Sequence, residues 1–126
     1  MRNTNTSYSN TYLTTQGNNP AAEDKSYVGT DNYVVIEGNK IKSVAKNENQ
    51  YFYGDGDGGN VSFNNNGTSF TISNSGSRFK ISYEGDWWRT YYLKQTSSTV
   101  IQMQRNDDGS NTWEFLEVKK EYKVVE

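Results

Sequence analysis

The chain has 126 residues, a hydrophobic fraction of 32% and a formal net charge of −2. It contains no cysteine and no histidine, which excludes disulfides, thiolate metal sites, cysteine nucleophiles and the Ser-His and Cys-His catalytic pairs. Because phosphate binding needs a concentrated basic surface, we expect no nucleic-acid partner. No apolar run reaches the length of a transmembrane segment.

The first segment, residues 1–26, carries the one proline of the chain and almost no aliphatic residues. Polar segments without a sustained period bury too little apolar surface to fold. We therefore expect a disordered polar tail or linker over 1–26 and a single β-barrel domain over 27–126. Such a tail suits a domain held away from a lipid anchor or secretion signal further upstream. A naturally ragged terminus explains the composition equally well.

Turn-forming sequences punctuate the chain from Tyr33 onward, about every ten residues. Glycine and asparagine in these sequences supply the positive φ angles that tight hairpins need. The predicted turns lie at residues 37–40, 47–49, 54–59, 64–67, 74–77, 84–86, 96–98 and 106–111. This spacing is typical of an all-β sandwich or barrel.

The segments between the turns alternate between apolar and polar residues. The clearest example is 78–83, where Phe79, Ile81 and Tyr83 share one face and polar side chains share the other. No segment shows a 3.6-residue stripe. The pattern predicts an all-β, antiparallel up-and-down meander of about eight strands. Closing that sheet into a barrel removes its exposed edges.

The strand count, the hairpin-only connections and the polar leading segment resemble the small lipocalin-like domains of bacterial secreted proteins and lipoproteins. The resemblance covers roughly Tyr27 to Tyr122. It implies a barrel whose mouth or lumen binds a small ligand. It also implies an extracytoplasmic location, in which the protein is secreted, periplasmic or anchored at the surface.

The stretch EGDWWRTYYLKQ, residues 84–95, has aromatic residues on both faces if it forms one strand. Alternation then puts Trp87, Arg89 and Tyr91 on an inward face and Trp88 and Tyr92 on the outward face. In the lipocalin-like interpretation the inward set walls a site for a small apolar or amphipathic ligand. The predicted ligand-binding residues are Trp87, Arg89, Tyr91, Phe79 and Tyr83. A buried guanidinium needs an anionic partner, so Arg89 faces either a ligand carboxylate or water at the mouth.

The outward face offers an alternative function. Trp88 and Tyr92 form a candidate surface platform for a glycan, whose CH face packs on aromatic rings, or for a protein partner. Aromatic pairs that only pack across strands explain the same residues. A third interpretation is a structural or inhibitory barrel that binds no small ligand and engages another protein through its loops.

The loop YGDGDGGN, residues 53–60, supplies oxygen ligands of the kind that calcium prefers. A calcium-binding EF-hand loop would need ligands where Gly59 and Asn66 stand. An acidic hairpin turn explains the same letters, and NDDGSN at residues 106–111 is interpreted in the same way. We therefore predict neither a metal site nor a cofactor, with Asp55 and Asp57 as the weak candidates.

Without histidine or cysteine, any catalysis would have to use carboxylates, lysine or tyrosine, and paired carboxylates are the clearest of these to test. A glycosidase needs two of them facing each other across the substrate, one with a raised pKa. Glu84 and Asp86 flank a turn, whereas Glu114 and Glu117 fall on opposite faces of a strand. The sequence therefore predicts a non-enzymatic binding protein.

Overall fold

The structure is a computed structural model that describes residues 1–4, 8, 11–25, 28–46, 50–54, 56, 58–105, 107 and 111–115. These residues form short β-strands and 3₁₀ turns, without an α-helix among them. The strands are β1 (Arg2–Asn3), β2 (Thr11–Thr14), β3 (Ala21–Asp24), β4 (Val34–Glu37), β5 (Lys40–Ser43), β6 (Tyr51–Tyr53), β7 (Gly59–Asn60), β8 (Ser62–Asn64), β9 (Thr71–Ser75), β10 (Arg78–Glu84), β11 (Thr90–Gln95), β12 (Ile101–Gln104) and β13 (Thr112–Glu114), with 3₁₀ turns at Thr30–Asn32 and Asp86–Trp88.

The largest sheet is built around β10, whose alternating sequence runs unbroken for seven residues. The sheet order is β1-β13-β10-β11-β12-β7, and β9 covers the other edge of β10. β13 pairs with β10 at Phe79 and Lys80, and β11 pairs with it from Ser82 to Glu84. Because β9 occupies the opposite edge along Arg78–Ser82, β11 and β13 follow one another along one edge of β10.

Two smaller sheets complete the described structure, a β2–β3 hairpin and a four-stranded sheet in the order β4-β5-β6-β8. All the pairings are antiparallel. Single contacts join the sheets. Ala21 forms an isolated bridge with Val100, Phe70 N donates to Asn39 O over 2.8 Å, and Leu13 N donates to Met1 O over 2.9 Å.

The predicted all-β antiparallel class is confirmed, but the predicted closed barrel is wrong for the described residues. They form three separate sheets, without a closed barrel. A barrel needs a continuous hydrogen-bonded ladder around its circumference. Here β10 changes partner along one edge, and isolated hydrogen bonds rather than ladders connect the sheets.

The core lies between these sheets and is closely filled. Phe52, Ile81, Leu93, Met103 and Trp113 are all 0% exposed. The indole Nε1 of Trp113 donates a 2.9 Å hydrogen bond to the backbone oxygen of Leu93. This hydrogen bond links β13 to β11, the two strands that lie one after the other along the same edge of β10. Buried polar residues also line the core: Asn3, Thr11, Thr14, Thr15, Asn32, Ser43, Lys94, Gln95 and Asn111.

The disordered tail predicted for residues 1–26 is wrong for the part of that segment that the structure describes. Residues there form β1, β2 and β3, and Leu13 is 1% exposed. The threonines are buried because their hydroxyls have partners: Thr15 Oγ1 donates to Asp31 O, and Gln95 Nε2 donates to Thr11 Oγ1. Hydrogen bonding of this kind removes most of the cost of burying a hydroxyl.

Candidate functional site

The most unusual surface feature is the turn between β10 and β11, which we call the tryptophan hairpin (residues 85–89). The strand pairing ends at Glu84 opposite Thr90. Gly85 N then donates a 2.8 Å hydrogen bond to Arg89 O, which closes the base of the turn. The tip carries Trp87 and Trp88 side by side.

Both tryptophans adopt a left-handed backbone conformation, with φ values of 62° for Trp87 and 56° for Trp88. Positive φ angles are common in tight hairpin turns. Asparagine and glycine normally fill these positions, because a bulky residue with positive φ costs about 1–3 kcal/mol. Folding alone therefore does not account for tryptophan at either position.

The two indoles project into solvent. Trp87 is 82% exposed and Trp88 is 88% exposed, whereas the other exposed large hydrophobic side chains in the described residues reach 46% at most. Tryptophan ordinarily buries roughly 150–250 Å² and dominates the energetics of cores and interfaces. Two consecutive tryptophans with this exposure make the turn the candidate binding site.

Tyr83 and Tyr91 lie beneath the tryptophan hairpin and support it on the large sheet, and we call these two residues the tyrosine base. The rings of Tyr83 and Tyr91 stack with their centroids 5.3 Å apart, and the Tyr83 hydroxyl accepts a 2.6 Å hydrogen bond from Gly56 N. Phe70 meets Tyr83 edge-on at 6.5 Å. A Cβ atom at Gly85 would lie 2.5 Å from Tyr91 Cε2. The backbone at the base of the hairpin therefore touches the tyrosine ring directly.

The structure does not bring the predicted inward set together around one cavity. Trp87 and Arg89 are exposed rather than inward, because β11 begins at Thr90 and the alternation of the strand does not extend into the turn. Tyr91 is buried as predicted, at 9% exposure. Tyr83 is half-buried beneath the turn, and Phe79 lies opposite Trp113, where it packs against Phe115.

The predicted outward pair is also separated. Trp88 lies in the turn, whereas Tyr92 is half-buried in β11 between Ser82 and Gln104 on the neighbouring strands. The ammonium group of Lys80 lies 6.0 Å from the centre of the Tyr92 ring. Trp88 therefore forms its surface with Trp87, not with Tyr92. The doublet WW beside Gly85-Asp86 was the available signal, since it places two aromatic residues directly after a turn dipeptide.

A second surface lies on the β4–β5 hairpin and was not predicted from the sequence. It is a shallow cavity of about 290 Å³, which we call the β4–β5 pocket. Val35 and Val44, which are 46% and 44% exposed, contribute its apolar surface. Its lining residues are Val35, Glu37, Lys42, Ser43, Val44 and Lys46.

The two lysines of the β4–β5 pocket lie close to aromatic rings of the same sheet. Lys42 Nζ is 5.9 Å from the centre of the Tyr51 ring, and Lys46 Nζ is 5.1 Å from that of Phe63. Tyr51 also donates a long 3.4 Å hydrogen bond from its hydroxyl to Glu37 Oε1. The polar margin of the pocket is thus held by contacts within the sheet.

The weak metal candidates Asp55 and Asp57 lie outside the described residues. Within the described part of the chain, no three acidic side chains come together as a metal-binding group. None of the helical turns described there has the length and apolar character to cross a bilayer. Comparison of the chain with protein-family models, curated proteins and solved structures found no match.

Proposed function

We propose that this protein is a non-enzymatic recognition module that binds a protein partner through the tryptophan hairpin. The observation that carries the proposal is the pair Trp87 and Trp88, exposed side by side in a backbone conformation that tryptophan rarely adopts. Replacing either residue by glycine would relieve the backbone. The indoles are therefore best explained by contacts made outside the molecule.

The composition of the hairpin favours a protein partner over a glycan. Tryptophan and arginine are enriched among the residues that dominate protein–protein binding energy, and the exposed Arg89 directly follows the two tryptophans. Trp87 and Trp88 project from the turn into solvent, and a projecting aromatic side chain can fill a pocket on a partner. A glycan site is usually a concave surface with convergent polar groups. The closing hydrogen bond between Gly85 and Arg89 also lowers the ordering cost of binding.

The small apolar ligand that the lipocalin-like pattern implies stays a prediction. Filled core positions such as Phe52, Leu93 and Trp113 favour a surface site over a lumen. The proposal modifies the surface platform that the sequence suggested for Trp88 and Tyr92. The contact element is now the turn that carries Trp87 and Trp88, and not the face of a strand.

A display selection from a random peptide library against the immobilised protein tests this function. We expect peptides with apolar anchors whose affinity falls at least about tenfold in a Trp87→Ser/Trp88→Ser double variant, since interface hot spots each contribute about 2 kcal/mol or more. Val28→Ser is the matched control, because Val28 is a partly exposed hydrophobic residue outside the hairpin.

The same proteins applied to a glycan array provide the contrasting result. Glycan binding that depends on the tryptophans, without peptide binding, would replace the protein partner by a carbohydrate. Peptide binding that is equal in the wild type and the double variant would show that the hairpin is not the contact element.

A further inference from the structure

We infer that the tryptophan hairpin of one molecule docks into the β4–β5 pocket of a second copy of the chain. The inference rests on the proposed function, because the same hairpin is the contact element. It adds the partner: the described surface of this chain presents both an aromatic projection and a recess in which two exposed valines lie among polar and charged residues.

The size of the pocket suits one aromatic side chain. An apolar cavity of about 150 Å³ holds a benzene molecule, and the β4–β5 pocket measures about 290 Å³, which leaves room for the larger indole. Sites for drug-sized small molecules begin at about 300 Å³ and extend upward. The pocket therefore lies at the lower limit for such molecules and matches a single inserted ring.

The chemistry of the pocket suits indole in particular. Val35 and Val44 offer apolar surface that is 46% and 44% exposed, and an inserted ring would remove it from water. Lys42 and Lys46 stand at its margin. Ammonium groups bind the face of tryptophan better than that of tyrosine or phenylalanine. Within their own sheet both lysines already lie over the rings of Tyr51 and Phe63, so an inserted indole would take the place of rings that bind an ammonium group less strongly.

Charge sets the orientation of the docked hairpin. Arg89 follows the tryptophans and is exposed, and Glu37 lies at the pocket with an exposed side chain. A guanidinium placed beside a carboxylate forms paired hydrogen bonds with it. Insertion of one indole would bring Arg89 to the pocket, where the favoured orientation places it beside Glu37 and away from Lys42 and Lys46.

The contact joins two different surfaces, since the hairpin belongs to the large sheet and the pocket belongs to the four-stranded sheet. A single contact of this type leaves one hairpin and one pocket unused, and these either pair within the same two molecules or bind further copies. Such contacts propagate head to tail into rings or open chains. The expected assembly therefore gains mass with concentration, as a reciprocal dimer or as a longer series.

Two half-defective variants test the inference by sedimentation velocity at increasing protein concentration. Trp87→Ser/Trp88→Ser removes the hairpin contact, and Val35→Arg/Val44→Arg fills the pocket and adds positive charge opposite Arg89. All four positions are exposed, so both variants are expected to fold. Trp113, the third tryptophan of the chain, reports the fold of the first variant by its fluorescence, and near-ultraviolet circular dichroism reports that of the second.

We expect the wild type and the control Val28→Ser to gain mass with concentration, while each double variant alone stays monomeric. An equimolar mixture of the two variants should form a complex that stops at the dimer, because it contains one competent hairpin and one competent pocket. A wild type that stays monomeric, a hairpin variant that still assembles, or a mixture that forms no dimer would overturn the inference. The display selection is independent of these results. Tryptophan-dependent peptide binding by a monomeric wild type would therefore exclude a second copy as the partner while still supporting the proposed function.

Discussion

The ring of Tyr91 stacks on that of Tyr83 at a centroid distance of 5.3 Å and an interplanar angle of 29°. The two residues are paired directly across β10 and β11, so the stack is a cross-strand contact located immediately below the tryptophan hairpin. Gly85 lies against the same pair, with Tyr91 as its nearest neighbour. The hairpin is thus supported by aromatic packing as well as by its own hydrogen bond.

Gly85→Ala should destabilise the protein, because the new Cβ would lie 2.5 Å from Tyr91 Cε2 and 3.0 Å from Cδ2. Overpacking of this kind costs about 1–3 kcal/mol, measurable by urea denaturation. Gly29→Ala is the matched control, since a Cβ there meets nothing within 4 Å. Equal stability of the two variants would contradict the close approach of Gly85 to the tyrosine base.

Trp88→Gly should stabilise the protein by about 0.5–1 kcal/mol, because glycine adopts the positive φ of this position without a steric penalty. Trp88→Ala removes the same indole but keeps a Cβ, so it should give no comparable gain. Thermal denaturation of the two variants measures the difference. If alanine proved as stabilising as glycine, the left-handed conformation of Trp88 would not explain the gain.

The three tryptophans should divide into two classes when iodide quenches their fluorescence. Trp87 and Trp88 are exposed, whereas Trp113 is 0% exposed, so two of the three should be accessible to iodide. Trp113→Phe should remove the inaccessible component and lower the free energy of unfolding by about 2–4 kcal/mol, through a cavity and the loss of the hydrogen bond to Leu93 O. An inaccessible fraction that persists in this variant would refute the assignment.

Leu13→Ala should lower the free energy of unfolding by about 2–4 kcal/mol, because the side chain is buried in the core. The same substitution in a disordered tail would have almost no effect. Val28→Ala, at a position that is 37% exposed, controls for the change of residue type. Equal unfolding midpoints for the two variants would show that the segment around Leu13 is a disordered tail, as the composition predicts.

Glu23→Gln should destabilise the protein at neutral pH, and the effect should fade in acid. Burial raises the pKa of the Glu23 carboxyl, but hydrogen bonds from Asn32 and Lys25 outweigh burial and hold the pKa below its ordinary 4.5. A lowered folded-state pKa contributes stability that is complete above the ordinary value and is lost as the pH falls through the folded-state value.

Urea denaturation from neutral pH to below the ordinary carboxyl pKa measures this dependence. Asp24→Asn, on the adjacent exposed residue, controls for the loss of one negative charge. A difference between the wild type and Glu23→Gln that stayed constant across the pH range would contradict the lowered pKa of Glu23.

Turn chemistry made the positions of several hairpins predictable, although not the order of the strands in the large sheet. Positive φ angles occur at Gly38, Gly67 and Gly76, inside three of the predicted turns. The predicted strand 78–83 corresponds to β10 at Arg78–Glu84. Glycine and asparagine adopt these conformations for local steric reasons. The turns can therefore be predicted from a few adjacent residues, without knowledge of the rest of the fold.

The features that could not be predicted depend on distant parts of the chain. Ser43 Oγ donates a 2.8 Å hydrogen bond to Thr15 Oγ1, and Asn32 Nδ2 donates to Leu13 O over 2.9 Å. These contacts make polar residues part of the core, and hydropathy does not reveal which hydroxyls and amides will find partners. The doublet WW after Gly85-Asp86 places two aromatic residues next to a turn, but the turn conformation of Trp87 and Trp88 was out of reach, because intrinsic propensity disfavours tryptophan with positive φ.

The pairing of β1 with β13 has a consequence for synthesis of the chain. Arg2 lies opposite Glu114, so the large sheet cannot be completed until both ends of this span have left the ribosome. Contacts between such distant residues slow folding, because the intervening loop must be closed first. The β10–β11 hairpin, in contrast, joins neighbouring residues and can form early. A nascent chain would therefore display its two tryptophans before β1 has paired with β13, and recruitment of a folding helper at that stage would begin at the same turn.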